Sequence, residues 1–237
     1  MRAYPWALIA LLVCACGTRP DPLPAFPRLV LWAWERPERL RFVDPHTAGV
    51  AFLTRTISWR AGHVESRPRL QPLEVPAGVA LMAVVRLEGS GPLPDAQSLV
   101  EPILRDAARP GIQALQIDFD ARQSERAWYR GLLRRLRAGL ATGVPLSITA
   151  LASWCDGDPW IRGLPVSDAV PMLFRMGAGE PRGKVKLRVG LCQSSLGIST
   201  DEWPTQAPSG RRLFVFTPRA WDEEMYRGVL VRARRWQ

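Results

Sequence analysis

The chain predicts an α/β fold: a single (β/α)8-like barrel, of the TIM type, in which some outer helices are reduced or missing. Three observations carry this. Eight short segments read as strands, and most are continuous apolar runs rather than alternating ones, as expected for strands covered on both faces. Amphipathic helical segments fall between several of them, an order that favours a parallel sheet. And 237 residues suffice for one domain with a sizeable core. The barrel is assigned to 29–237, with no internal repeat and no second domain.

The predicted strands are Leu29 to Trp34, Val50 to Arg55, Val79 to Arg86, Ala114 to Asp120, Pro145 to Leu151, Ala169 to Arg175, Lys186 to Cys192 and Leu213 to Phe216. Asp95 can cap a helix running to about Ala108, with Leu99, Ile103 and Ala107 on one row, and Pro110-Gly111 ends it. From about Arg122 to Ala141, Trp128, Leu132, Leu136 and Leu140 form a stripe, leaving Arg126, Arg130, Arg134 and Arg137 toward water. A last helix from Trp221 to Arg235 stacks Trp221, Met225, Val229 and Ala233. Short helices are expected near Pro37 to Phe42 and Asp158 to Gly163. The stretches from Thr56 to Ala77 and from Gln193 to Arg212 carry little helical period, so two or three outer helices should be absent.

The first 16 residues stand apart. Arg2 is a short positive region, and Ala7-Leu-Ile-Ala-Leu-Leu-Val13 is an apolar run too short to span a bilayer. Val13-Cys-Ala-Cys16 resembles a bacterial lipobox. That resemblance implies cleavage before Cys16, lipidation of its sulfur and attachment at the periplasmic face of the cell envelope. Gly17 follows, with no aspartate at the next position, which points to the outer membrane. An ordinary secretory signal with a nearby cysteine is the plainer alternative. Residues 17–28, rich in proline, read as a stiff tether. Cys155 and Cys192 remain, and an oxidising compartment permits a disulfide between them or leaves two buried thiols. His46 and His63 have no cysteine beside them, so no zinc spacing exists and no cofactor is implied.

The net charge of +10 does not indicate nucleic acid. Only Lys184 and Lys186 are lysines, and the arginines are scattered with no basic run of five or more and no reader motif. A basic surface would favour an anionic envelope polymer instead.

The most informative stretch is Leu115-Gln-Ile-Asp-Phe-Asp120. Side chains alternate along a strand, so Gln116, Asp118 and Asp120 share one face. Aspartates on an enclosed face are costly unless paired or functional. At the C-terminal tip of a barrel strand they sit where barrel enzymes keep their chemistry. The other strand tips offer Trp32, Trp34, Glu35, Arg55, Arg86, Glu88, Ser153, Trp154, Asp156, Arg175 and Gln193. Asp118, Asp120 and Asp156 are the catalytic candidates. Trp32, Trp34, Arg55, Arg86, Trp154, Arg175 and Gln193 are the substrate-binding candidates. Carboxylates tuned by arginine, beside flat aromatic faces, suit acid-base hydrolysis of a glycan. The alternative is a module that binds a saccharide or anion, or scaffolds partners, with Asp118 merely anchoring Arg55, Arg86 or Arg175.

Leu31-Trp-Ala-Trp-Glu35, Leu115-Gln-Ile-Asp-Phe-Asp-Ala121, Leu146-Ser-Ile-Thr-Ala-Leu-Ala-Ser-Trp-Cys155, Val170-Pro-Met-Leu-Phe-Arg-Met-Gly177 and Phe214-Val-Phe-Thr-Pro-Arg-Ala-Trp221 together resemble a bacterial domain-of-unknown-function family, number 3142. The resemblance implies an envelope protein and brings no activity. A weaker, architectural resemblance is to chitinase-type barrel glycosidases, whose strand motif is Asp-x-x-Asp-x-Asp-x-Glu. Here either Arg122 falls at the acid position or Gln116 at the second aspartate.

Overall fold

The computed structural model describes residues 20–174, 186–204 and 208–236. The leader, Cys16 and Arg175 lie outside them. In chain order the elements are β1 (Leu29–Ala33), β2 (Glu38–Arg39), β3 (Ala48–Arg60), β4 (His63–Pro68), β5 (Leu73–Glu74), β6 (Leu81–Ser90), α1 (Ala96–Ala107), β7 (Ile112–Asp118), α2 (Arg126–Gly139), β8 (Leu146–Leu151), β9 (Asp168–Met172), β10 (Ser195–Ser199), β11 (Arg212–Phe216) and α3 (Glu223–Ala233).

Eight strands close into a parallel barrel in the order β1-β11-β10-β9-β8-β7-β6-β3, sealed by β1 pairing with β3. The barrel is lean. Among the described residues α-helices follow only β6, β7 and β11. Asp95 caps α1 by accepting from the Gln97 amide, and Asp222 caps α3 by accepting from the Met225 amide. Between Pro37 and Phe42 the chain forms β2, paired with β5, instead of a helix. Asp158 to Gly163 is turn. On α2 the buried stripe is Tyr129, Leu132, Leu133 and Leu136. Its arginines are not all solvated: Arg126 pairs with Asp158, and Arg130 and Arg137 donate to the carbonyls of Trp160 and Val144.

The seventh barrel strand is Ser195–Ser199, not the expected Lys186 to Cys192. Ser-Leu-Gly-Ile-Ser has little bulk and reads as a loop. It is a strand because it pairs in parallel with β11 along its length and with β9 at Gly197, and glycine is required there since a Cβ would stand 2.9 Å from the Trp32 ring. Residues before it run outside the barrel, where the amides of Arg188 and Val189 donate to the Cys155 carbonyl. Cys155 and Cys192 form a disulfide, with Cα atoms 5.9 Å apart. The bridge staples two segments that occupy the place of outer helices.

Alternation sorts the core into two. Leu29, Leu31, Val50, Ile117, Ile148 and Leu196 face outward beneath the helices and loops. Val30, Trp32, Ala51, Met82, Val84, Ala114, Val170 and Phe214 fill the barrel. The N-terminal end of the barrel is polar. Arg212, Asp168 and Ser195, the first residues of their strands, are all buried there. The guanidinium of Arg212 bonds the Asp21 carboxylate at 3.0 and 2.9 Å and the carbonyls of Leu23, Phe26 and Pro27. The proline-rich stretch expected to be a tether therefore packs from Asp21 onward, with Leu23 and Phe26 buried as the floor of the barrel.

At the other end the wall is uneven. β3 and β6 run on past the neighbouring strands, and β4 returns antiparallel beside β3 where β1 has left off. Ala61 and Gly62 supply the two positive-φ residues of the β3–β4 turn. Arg67 of β4 grips Glu35 through two hydrogen bonds of 2.7 and 3.0 Å, tying this hairpin to the end of β1.

Candidate functional site

A cavity of about 720 Å³ opens at the C-terminal end of the barrel. This is a volume suited to a small-molecule or glycan segment. One side is aromatic. Phe174 and Phe216 stack with planes 4° apart and centroids 5.6 Å apart, and Trp34 meets Phe216 edge-on. Trp32 lies deeper, its indole N–H donating to Gln116 Oε1 at 2.8 Å, while Gln116 Nε2 donates to Ser147 Oγ at 3.2 Å. That chain satisfies three buried polar groups and fixes the floor of the cavity.

The other side is charged. Along β6 and β7 the inward positions bring Arg86, Glu88 and Asp118 to the mouth, with Asp120 just beyond. Asp118 accepts a hydrogen bond from Thr149 Oγ1 at 2.8 Å, and its other oxygen is 4.0 Å from Arg86 Nη1. Arg86 makes its close contact with Glu88, at 2.8 Å, and lays its guanidinium over Trp34, 5.5 Å from the ring centre. Burial raises the Asp118 carboxyl above the ordinary range. The Thr149 hydrogen bond and Arg86 oppose that rise, while Asp120 and Glu88 add to it. Asp120 stands exposed at the rim, yet the surrounding wall takes enough water from it to raise its carboxyl too, against Arg86.

Behind the pair, Tyr129 of α2 is fully buried and packs edge-on against Phe119 at 5.1 Å. Burial, and then Asp118 and Asp120, hold its phenol well above the usual value.

Of the residues singled out in the sequence, Trp32, Trp34, Arg86, Asp118 and Asp120 come together here. Four do not. Arg55 faces outward and forms a bidentate contact with Asp106 of α1, at 2.8 and 3.2 Å. The cause is a β-bulge: Thr54 is an extra residue between Leu53 and Arg55, so the alternation flips and Arg55 leaves the interior. Trp154 is buried in the outer core against Trp160, 5.0 Å between centroids, because a 3-10 turn carries Ala152–Cys155 outward from β8. Asp156, at the end of that turn, is held by Arg188 at 2.9 Å outside the cavity lining. Gln193 precedes β10 rather than following a strand, and donates to the Leu187 carbonyl at 3.4 Å.

Sequence reasoning missed Phe174, Phe216, Glu125 and Arg122, which also line the cavity. Phe174 was readable: it shares inward parity with Val170 and Met172. Glu125 was hidden because it looks like an ordinary helix-start acid. It does accept from the Arg122 amide at 2.8 Å, but that turn folds back over the barrel mouth. Among the described residues, no group of three or more His, Cys, Asp or Glu could hold a metal ion.

An eight-stranded parallel barrel with an acidic and aromatic cavity at the C-terminal end of its strands is thus the class that fold and site define. Residues 77–169 match the model of a family described as Domain of unknown function (DUF3142). The span runs from just before β6 to the start of β9. It carries the charged lining residues Arg86, Glu88, Asp118, Asp120, Arg122 and Glu125, together with Thr149, but neither Trp32 and Trp34 nor Phe174 and Phe216. No curated protein and no solved structure matches the chain.

Proposed function

We propose that this protein is a lipid-anchored barrel of the bacterial cell envelope that binds a glycan in the cavity and hydrolyses it by carboxylate acid-base chemistry. The observation that carries the reading is that Asp118 and Asp120, at the rim of an aromatic cavity, are not neutralised by close arginine contacts. Arg86 spends its short contact on Glu88 and reaches Asp118 only at 4.0 Å. A site built only to hold strands in register would show the reverse.

The two carboxyls divide the work by environment. Asp120, raised by its surroundings and open to solvent, is the proton donor to the departing oxygen. Burial raises Asp118 too, but it accepts from Thr149 and lies near Arg86, contacts that oppose the rise and suit a group that stabilises developing positive charge on the sugar or activates water. Trp34, Phe174 and Phe216 offer flat faces for the apolar side of sugar rings. The anchor rests on the lipobox at Cys16, outside the described residues. No described helix is long and apolar enough to cross a membrane.

The test is saccharide release from purified envelope polymers and aryl glycosides by the Cys16→Ser protein, compared with its Asp118→Asn and Asp120→Asn forms. Release should fall by roughly 10²–10⁴-fold in a folded Asp120→Asn variant. No release from a broad panel by the parent would overturn the hydrolase and leave a non-catalytic saccharide-binding module. The anchor is tested separately: fatty-acid labelling should require Cys16.

A further inference from the structure

The protein carries a net charge of +10, yet its cavity is acidic. Among the described residues the charged groups lining it are Glu88, Asp118, Asp120 and Glu125 against Arg86 and Arg122. Glu88 and Arg86 cancel each other at 2.8 Å. What remains is three carboxyls against one guanidinium, with Asp118 and Glu125 largely shielded from water. In a chain of opposite overall sign this is a local reversal of field, and a concave site with apolar walls focuses such a field.

The same site already shows how it treats a cation. Arg86 lies with its guanidinium over the Trp34 ring at 5.5 Å, beside Glu88 and 4.0 Å from Asp118. An aromatic face and carboxylates together solvate a positive group in place of water. An anionic sugar would meet the reverse: with Arg86 engaged by Glu88, Arg122 alone would face it against Asp118, Asp120 and Glu125.

We propose that the glycan taken by this cavity carries free amines, as in a saccharide of de-N-acetylated amino sugars, with the sugar faces on the Trp34, Phe174 and Phe216 side and an ammonium group at Asp120 and Glu125. This rests on the glycan reading above and names the substrate class within it. It also separates the cavity from the protein's outer surface, whose positive charge would attract acidic polymers without admitting them to the site.

The test is calorimetric binding of three oligosaccharides of equal length to the Cys16→Ser protein: glucosamine oligomers, their fully N-acetylated counterparts and oligouronates. The glucosamine oligomer should bind about tenfold or more tightly than the N-acetylated one at low salt, and the gap should narrow as salt screens the charges. Asp120→Asn should reduce the preference for the glucosamine oligomer. Glu125→Gln supplies a second variant should the first fold poorly. Equal or tighter binding of the N-acetylated or uronate oligomer overturns this inference and leaves the glycan reading standing. Absence of binding by all three overturns both.

Discussion

The hydroxyl of Thr149 on β8 donates to the carboxylate of Asp118 on the adjacent strand β7, 2.8 Å away. Parallel pairing of Gln116 with Ser147 and Ile117 with Ile148 sets the register that brings the two together. The contact favours the charged form of a carboxyl that burial otherwise pushes toward neutrality. Thr149→Val removes this donor at nearly constant volume. The Asp118 carboxyl should rise further, and the acid limb of the pH–rate profile for the proposed glycan hydrolysis should move to higher pH. An unmoved limb in a folded, active variant would take Asp118 out of the rate-determining ionisations.

Asp168 makes stability depend on pH at the opposite end of the barrel. Its carboxyl is raised to about 6 from an ordinary 3.8, by burial above all; Ser195, Arg212 and the Ala169 amide oppose the rise and Asp21 adds to it. Between those two values the native state holds the proton more tightly than the unfolded chain. Stability from this group is therefore full below about pH 4, declines as pH rises through about 6, and is flat above. The loss is on the order of 3 kcal/mol, from roughly 1.4 kcal/mol per unit. Asp168→Asn should flatten the denaturation midpoint across this window and raise it at pH 7.5. A slope that survives the substitution belongs to other groups.

Gly197 and Trp32 should be energetically coupled. A Cβ at Gly197 would lie 2.9 Å from the Trp32 ring and 3.4 Å from the Pro171 carbonyl oxygen. Gly197→Ala should cost about 1–3 kcal/mol in urea unfolding. In a Trp32→Phe background the cost should shrink, giving a favourable interaction energy in the double-mutant cycle. Additive losses would mean that the backbone, not the indole, limits the position.

The Cys155–Cys192 bridge closes a separation of 37 residues. Chain entropy assigns such a loop about 3–4 kcal/mol of stability. The double Cys→Ala variant should lose most of that while keeping its affinity for ligand, since neither cysteine lines the cavity. Loss of binding without loss of stability would place the bridge in the site's geometry instead.

Tyr129→Phe offers a control on the buried shell behind the aspartates. Its hydroxyl is buried without a hydrogen-bond partner among the described residues. Removing an unsatisfied donor should be neutral or stabilise by up to about 1–3 kcal/mol in thermal unfolding. A clear destabilisation would reveal a bound water that the hydroxyl holds.

Barrel class, strand count and the acidic tip of β7 were legible because they depend on short-range pattern. Apolar runs of strand length, two carboxylates of like parity and capped amphipathic helices such as α1 are written in consecutive residues. Three features required the folded chain. The bulge at Thr54 sends Arg55 to Asp106, and nothing local marks an inserted residue. Ser195–Ser199 is a strand only because β9 and β11 flank it in the closed barrel, where Trp32, distant in sequence, leaves no room for a side chain at Gly197. The proline-rich segment becomes a floor only because Arg212, 191 residues from Asp21, gathers its carbonyls. Alternation says which side of its own strand a residue faces. Which residues share the cavity depends on register and closure, set by packing between segments far apart in the chain.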